Sequence, residues 1–124
     1  MRELVLRKCN SCKALIRVIE DCNCKCGFIC CDEEMNVVRA NETDASFEKH
    51  VPIYEIKGDE IEVEVNHVMD DDHYIEWISA VSPNEEQIKY LKPGVKAKAT
   101  FKYYDGMILY SYCNKHLLWK KEVE

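Results

Sequence analysis

From residue 51 to residue 112 the chain alternates apolar and polar positions in short runs. Ile61, Val63 and Val65 interleave with Glu60, Glu62 and Glu64, the period of two that gives a strand one dry face and one wet face. Runs at 51–56, 74–79, 96–104 and 107–112 read as further strands, and a weaker alternation over 3–8 as a short one. Asp105 and Gly106, set between two β-rich runs, predict a hairpin turn. The stretch 83–92, closed by Pro93 and Gly94, predicts a loop or a single helical turn. Short strands with turns at this spacing, and no long helical period, predict an all-β chain whose larger part is an antiparallel β-sandwich.

Upstream the pattern breaks. Val37 and Val38 give way to a polar run without period through Asn41, Glu42, Thr43 and Asp44, which predicts a connector over 37–46. The expected organisation is a small metal-stapled module at 1–36 and the sandwich at 47–124. At 124 residues there is room for no more than that. The apolar fraction of 47% supports a real core. No apolar run approaches the roughly 18 residues of a membrane span, and residues 1–8 lack the apolar stretch of a secretory signal, so the expected location is the cytoplasm. A net charge of −6 argues against nucleic acid as a partner and repels anions at long range. An anionic substrate would therefore need a local positive centre, for which Lys49, beside His50, is the candidate.

Seven of the eight cysteines fall within the first 31 residues, and without an export signal that concentration points to metal rather than to disulfides. Cys9 and Cys12 form a CxxC turn, whose amides curl towards the sulfurs, and Cys30 and Cys31 form a second pair. Four thiolates in two pairs suit tetrahedral zinc or a single iron, and spacing does not choose between them. The segment resembles the desulforedoxin-type domain of the desulfoferrodoxins, which implies one iron on Cys9, Cys12, Cys30 and Cys31. Asp32 and Glu34 stand where that family usually has Gly and Pro, and Cys22, Cys24 and Cys26 are additional thiols that could replace a ligand, form a labile disulfide or stay spare.

The four histidines are all placed to act together. His67 and His73 lie across Asp70, Asp71 and Asp72, too charged to be buried, at the entry to a strand; His116 follows Cys113 by three positions, and His50 sits next to Lys49. Convergence of His50, His67, His73, His116 and Cys113 gives five donors, one more than structural zinc accepts, and ferrous iron fits such a set with a position left open. A thiolate donor pushes electron density through the metal and favours reduction of a bound dioxygen species.

These segments resemble the superoxide reductases of the two-iron, desulfoferrodoxin type. Glu48, Lys49, His50, Val51 and Pro52 match the family's Glu-Lys-His-Val-Pro; His67, Met69, His73, Ile75, Glu76, Trp77 and Ile78 match its His-Pro-Met and His-x-Ile-Glu-Trp-Ile; Cys113, Asn114, His116 and Trp119 match its Cys-Asn-x-His-Gly-Leu-Trp. The resemblance implies a neelaredoxin-like, immunoglobulin-like sandwich with iron held equatorially by the four histidines and axially by Cys113. It also implies superoxide as substrate, hydrogen peroxide as product, rubredoxin or a similar small protein as electron donor, and a homodimer. Lys49 would draw in the anion and position water for protonation, and Glu48 would approach the open position in the oxidised state. Val68 replaces the usual Pro and Leu117 the usual Gly, so a need for φ > 0 at 117 would force that loop to rearrange. Two other functions compete: an iron-binding electron-transfer protein of the same fold, and a zinc-ribbon interaction module.

Overall fold

The computed structural model describes residues 3–25 and 27–124. The chain divides into two compact units, Leu4–Arg39 and a larger one that contains Ala40–Glu124. Among the described residues there is no helix, and none that is long and apolar enough to cross a membrane.

In the smaller unit, β1 (Leu6–Lys8) pairs on one side with β2 (Leu15–Arg17) and on the other with β5 (Asn36–Val38), all antiparallel. Asn36–Val38 therefore closes a sheet, although Val37 and Val38 were expected to lead into the connector. Leu6, Cys9, Val18, Met35 and Val38 are buried. β3 (Ile29–Cys30) and β4 (Glu33–Glu34) form a separate hairpin. Its two-residue turn has Cys31 at φ 53 and Asp32 at φ 60, the double positive φ of a type I′ turn. Aspartate tolerates that conformation, so the turn forms without a glycine.

The larger unit is the antiparallel β-sandwich. One sheet runs β10 (Lys98–Lys102), β7 (Glu60–Glu64), β6 (Ile53–Lys57); the other runs β12 (Leu117–Glu122), β11 (Ile108–Cys113), β8 (Ile75–Val81), β9 (Glu86–Tyr90). The glutamates of β7 alternate with Ile61 and Val63, which are 0% and 1% exposed, so one face of β7 turns to the core. Between the sheets lie Val65, Ile75, Ile78, Ala80, Ala99, Phe101, Met107, Leu109 and Cys113.

Two local expectations fail. The 83–92 stretch is neither loop nor helical turn throughout, since Glu86–Tyr90 pairs with β8 as an edge strand, with Ile88 and Tyr90 outward. Asp105 and Gly106 turn the chain, with Gly106 at φ 77, but they do not make a hairpin. β10 belongs to one sheet and β11 to the other, so residues 103–107 arch between layers. The buried Met107 fills the arch, and the Tyr104 N–H points to its sulfur at 3.3 Å.

Candidate metal centre

Strand ends bring five donors together. His50 closes the turn 47–50, in which the N–H groups of His50 and Val51 both donate to the Phe47 carbonyl. His67 and His73 flank the loop before β8; there Asp70 and His73 exchange two backbone hydrogen bonds while Asp70, Asp71 and Asp72 face solvent. Cys113 ends β11 and His116 lies in the turn to β12. One ligand atom from each of His50, His67, His73, Cys113 and His116 lies within 4.8 Å of all the others.

The four imidazoles form a closed circuit. Ring centroids are 4.7 Å apart for His50 and His67, 4.6 Å for His67 and His73, 5.1 Å for His73 and His116, and 4.9 Å for His116 and His50, with neighbouring planes inclined by 66° to 90°. The sulfur of Cys113 approaches His67 Nε2 at 3.5 Å and His116 Nδ1 at 3.9 Å.

Backbone carbonyls select the tautomers. His50 Nδ1 donates to the Ser46 carbonyl at 2.6 Å and His67 Nδ1 to the Val68 carbonyl at 2.5 Å, since a carbonyl can only accept. Both Nε2 lone pairs are thereby left for the centre. Residue 68 serves through its carbonyl, which valine offers as well as proline. Trp119, fully buried, stacks on His50 at 4.8 Å and donates its indole N–H to the His116 carbonyl at 2.9 Å, touching two of the donors.

The set fits a cation. His73 Nε2 is buried without a hydrogen-bond partner, and His50 Nε2 faces His116 Nδ1 at 3.0 Å. Burial holds His50, His67 and His73 below the ordinary imidazole pKa, helped by the neighbouring rings and by the positive charges of Lys49 and Lys115, so they stay neutral, as ligands must. Burial raises Cys113, opposed by the backbone N–H groups of Lys115 and His116. Iron tolerates four imidazoles and a thiolate, whereas structural zinc closes at four donors. Lys49 and Glu48 sit exposed on the turn that ends in His50.

A second set lies in the smaller unit, where one sulfur from each of Cys9, Cys12, Cys30 and Cys31 is within 4.8 Å of the rest. Cys12 and Cys30 sulfurs are 3.6 Å apart, and the Cys12 N–H points to the Cys9 sulfur at 3.5 Å. That N–H is the main cause that lowers the Cys9 thiol to about 7, while hydrogen bonding to Cys12 lifts Cys30 to about 12. Such close sulfurs cannot all ionise without a cation between them. Cys22 and Cys24 stand outside this group, and Cys26 lies outside the described residues.

Sequence reasoning missed Asn114 as a site residue, although it lies inside the Cys113 to His116 motif. Its side chain accepts from the Tyr74 N–H at 3.0 Å and donates to the Asp72 carbonyl at 2.9 Å.

Fold and donor sets define a β-sandwich metalloprotein with a His4Cys group and a separate four-cysteine module, each able to hold iron. The sequence pattern of the family described as Desulfoferrodoxin matches residues 42–122. The desulfoferrodoxin of Syntrophotalea carbinolica is 34% identical over 97% of each chain. The chain belongs to the desulfoferrodoxin family. Among solved structures, the superoxide reductase from Treponema pallidum is similar with a TM-score of 0.73 and 28% identity, over 97% of this chain and 99% of that one. The one-iron superoxide reductase from Giardia intestinalis is similar with a TM-score of 0.55 and 26% identity, over 62% of this chain and 98% of that one.

Proposed function

We propose that this protein is a superoxide reductase, adding one electron and two protons to superoxide to give hydrogen peroxide. The observation that carries the reading is the closed circuit of four imidazoles beside a buried thiol, with a buried Nε2 that has no other partner. Ferrous iron bound there would supply the electron and a Lewis-acid position. The chain's own residues do the rest. His50, His67, His73, His116 and Cys113 would be its ligands, and Cys113 would supply the electron-rich donor. The Lys49 ammonium offsets a net charge of −6 close to the site, draws the anion in and holds water that can deliver a proton. Glu48, exposed on the same turn, is the carboxylate that would approach the iron when the substrate is absent.

Cys9, Cys12, Cys30 and Cys31 would hold a second iron, and Leu4–Arg39 and the unit that contains Ala40–Glu124 work as two modules. A small rubredoxin-type protein returns the electron, and the chain works in the cytoplasm as a homodimer.

The test is anaerobic purification with metal analysis, then mixing of the reduced protein with a pulse of superoxide. Close to two irons per chain, and peroxide formed without dioxygen, support the reading. One zinc per chain would favour an interaction module, and iron that leaves superoxide untouched would favour electron transfer alone.

A further inference from the structure

His73 is the least supported of the five donors. His50 and His67 are aimed by hydrogen bonds from their own rings, and His116 by the indole beneath its carbonyl. His73 Nε2 is buried and free for the centre, and the backbone on either side of the ring sets where it points. That backbone follows three adjacent exposed carboxylates, which repel one another and bury nothing. Within the loop itself the Asp70–His73 bridge restrains it, and the Ile75 N–H points to the Met69 sulfur at 3.4 Å.

The Gly94 N–H holds the start of the loop at the Met69 carbonyl, and the restraint next to His73 comes from Asn114. Its Nδ2 donates to the carbonyl before His73 and its Oδ1 accepts from the N–H after it, while its own N–H donates to the Tyr74 carbonyl at 3.2 Å. In an extended chain the carbonyl of one residue and the N–H two positions later point to the same side. A single primary amide matches both, and no other short side chain offers one donor and one acceptor at that spacing. The partners also fix which end of the amide is oxygen, because a carbonyl only accepts and an N–H only donates.

We propose that Asn114 is a positioning residue for the His73 donor, clamping the peptide on both sides of His73 to the turn that carries Cys113 and His116. This rests on the metal reading above. The clamp spans 40 residues of sequence, so it fixes donors from two segments against each other before any ion arrives. Its loss frees His73 to swing outward with the acidic loop.

The experiment is an anaerobic Co2+ titration of the full chain and of Asn114→Ala, His73→Ala and the double variant, reading affinity and visible spectrum. The site in question is the one whose affinity His73→Ala changes. Asn114→Ala should weaken binding there by roughly 10- to 100-fold, and its spectrum should move towards that of His73→Ala. The double variant should bind no more weakly than His73→Ala alone, because the clamp acts through that ring. Asn114→Asp, which keeps the acceptor and loses the donor, should fall between, and it carries the test if the alanine variant does not fold. Affinity within twofold of the parent, or losses that add in the double variant, would overturn the proposal. A parent chain with no Co2+ site sensitive to His73→Ala would instead overturn the metal reading.

Discussion

At the scale of single residues, two side chains near the centre make opposite demands. Lys49 is exposed and buries nothing, so its worth lies in charge alone. In a chain of net charge −6, the ammonium groups beside the site, Lys49 and Lys115, decide whether an anion feels attraction on its last approach. Lys49→Ile should slow the bimolecular reaction of the reduced protein with superoxide by about tenfold and flatten its dependence on salt. Pulse radiolysis across ionic strengths measures both, and an unchanged rate would remove the steering role. Leu117 carries strain. It takes φ 64 immediately after His116, so the loop keeps the left-handed conformation and leucine bears the cost instead of the loop rearranging. That conformation costs a non-glycine residue roughly 1–2 kcal/mol. Leucine's half-buried side chain offsets part of it, so replacing it with glycine alone mixes two effects. Comparing Leu117→Gly with Leu117→Ala removes the burial difference. Glycine should be the more stable by about 1 kcal/mol in urea unfolding at fixed metal loading, the reverse of its usual rank in a strand.

Elements add what residues cannot. β9 and β10 belong to different sheets, yet the Gln87 amide joins them, donating to the Lys102 carbonyl and accepting from its N–H, both at 3.0 Å. The clasp is partly exposed, so water replaces it at modest cost, and Gln87→Ala should lower stability by about 1 kcal/mol with no change in metal uptake. Altered uptake would show that the sandwich edge and the metal loop move together. This contact also explains what sequence could not reveal. Glu86, Gln87 and Lys89 are good helix formers, and only pairing with β8 makes that stretch a strand. Asp105 and Gly106 have hairpin chemistry, but Phe101 and Leu109 pack into one core from opposite sheets, so the turn becomes an arch. β7 was legible because its glutamates and aliphatics alternate without exception. The five donors were legible because histidine and cysteine are scarce in 47–124 and their spacing is distinctive. Asn114 was not, since its value lies in two backbone groups 40 and 42 residues away, which no local pattern encodes.

For the whole molecule, metal and protons compete for the same atoms, and the two units should respond differently. Below roughly 40 residues a unit needs metal, disulfides or a partner to stay folded, and Leu4–Arg39 is of that size with a short list of buried side chains. Stripping metal should therefore unfold it while the sandwich persists, seen as amide exchange that collapses in Leu4–Arg39 alone. Both tryptophans, Trp77 and Trp119, belong to the sandwich, so their fluorescence reads that unit only. In the metal-free sandwich, burial holds His50, His67 and His73 below their unfolded value of about 6.5. As pH falls through 6.5 the unfolded chain takes up protons that the folded sandwich refuses. Their contribution is thus complete above 6.5 and lost as pH drops from there through the lower folded values. Depressed carboxylates such as Glu64 act at lower pH, and the raised Lys57 and Lys120 at much higher pH. The urea midpoint followed by tryptophan fluorescence should stay level from pH 8 to 7 and fall from about 6.5 towards 5. Bound metal should deepen that fall, because each imidazole must shed its metal to take a proton. A midpoint that holds level or rises towards pH 5 would mean that these rings are solvated, and would remove the physical basis for treating them as preformed neutral donors.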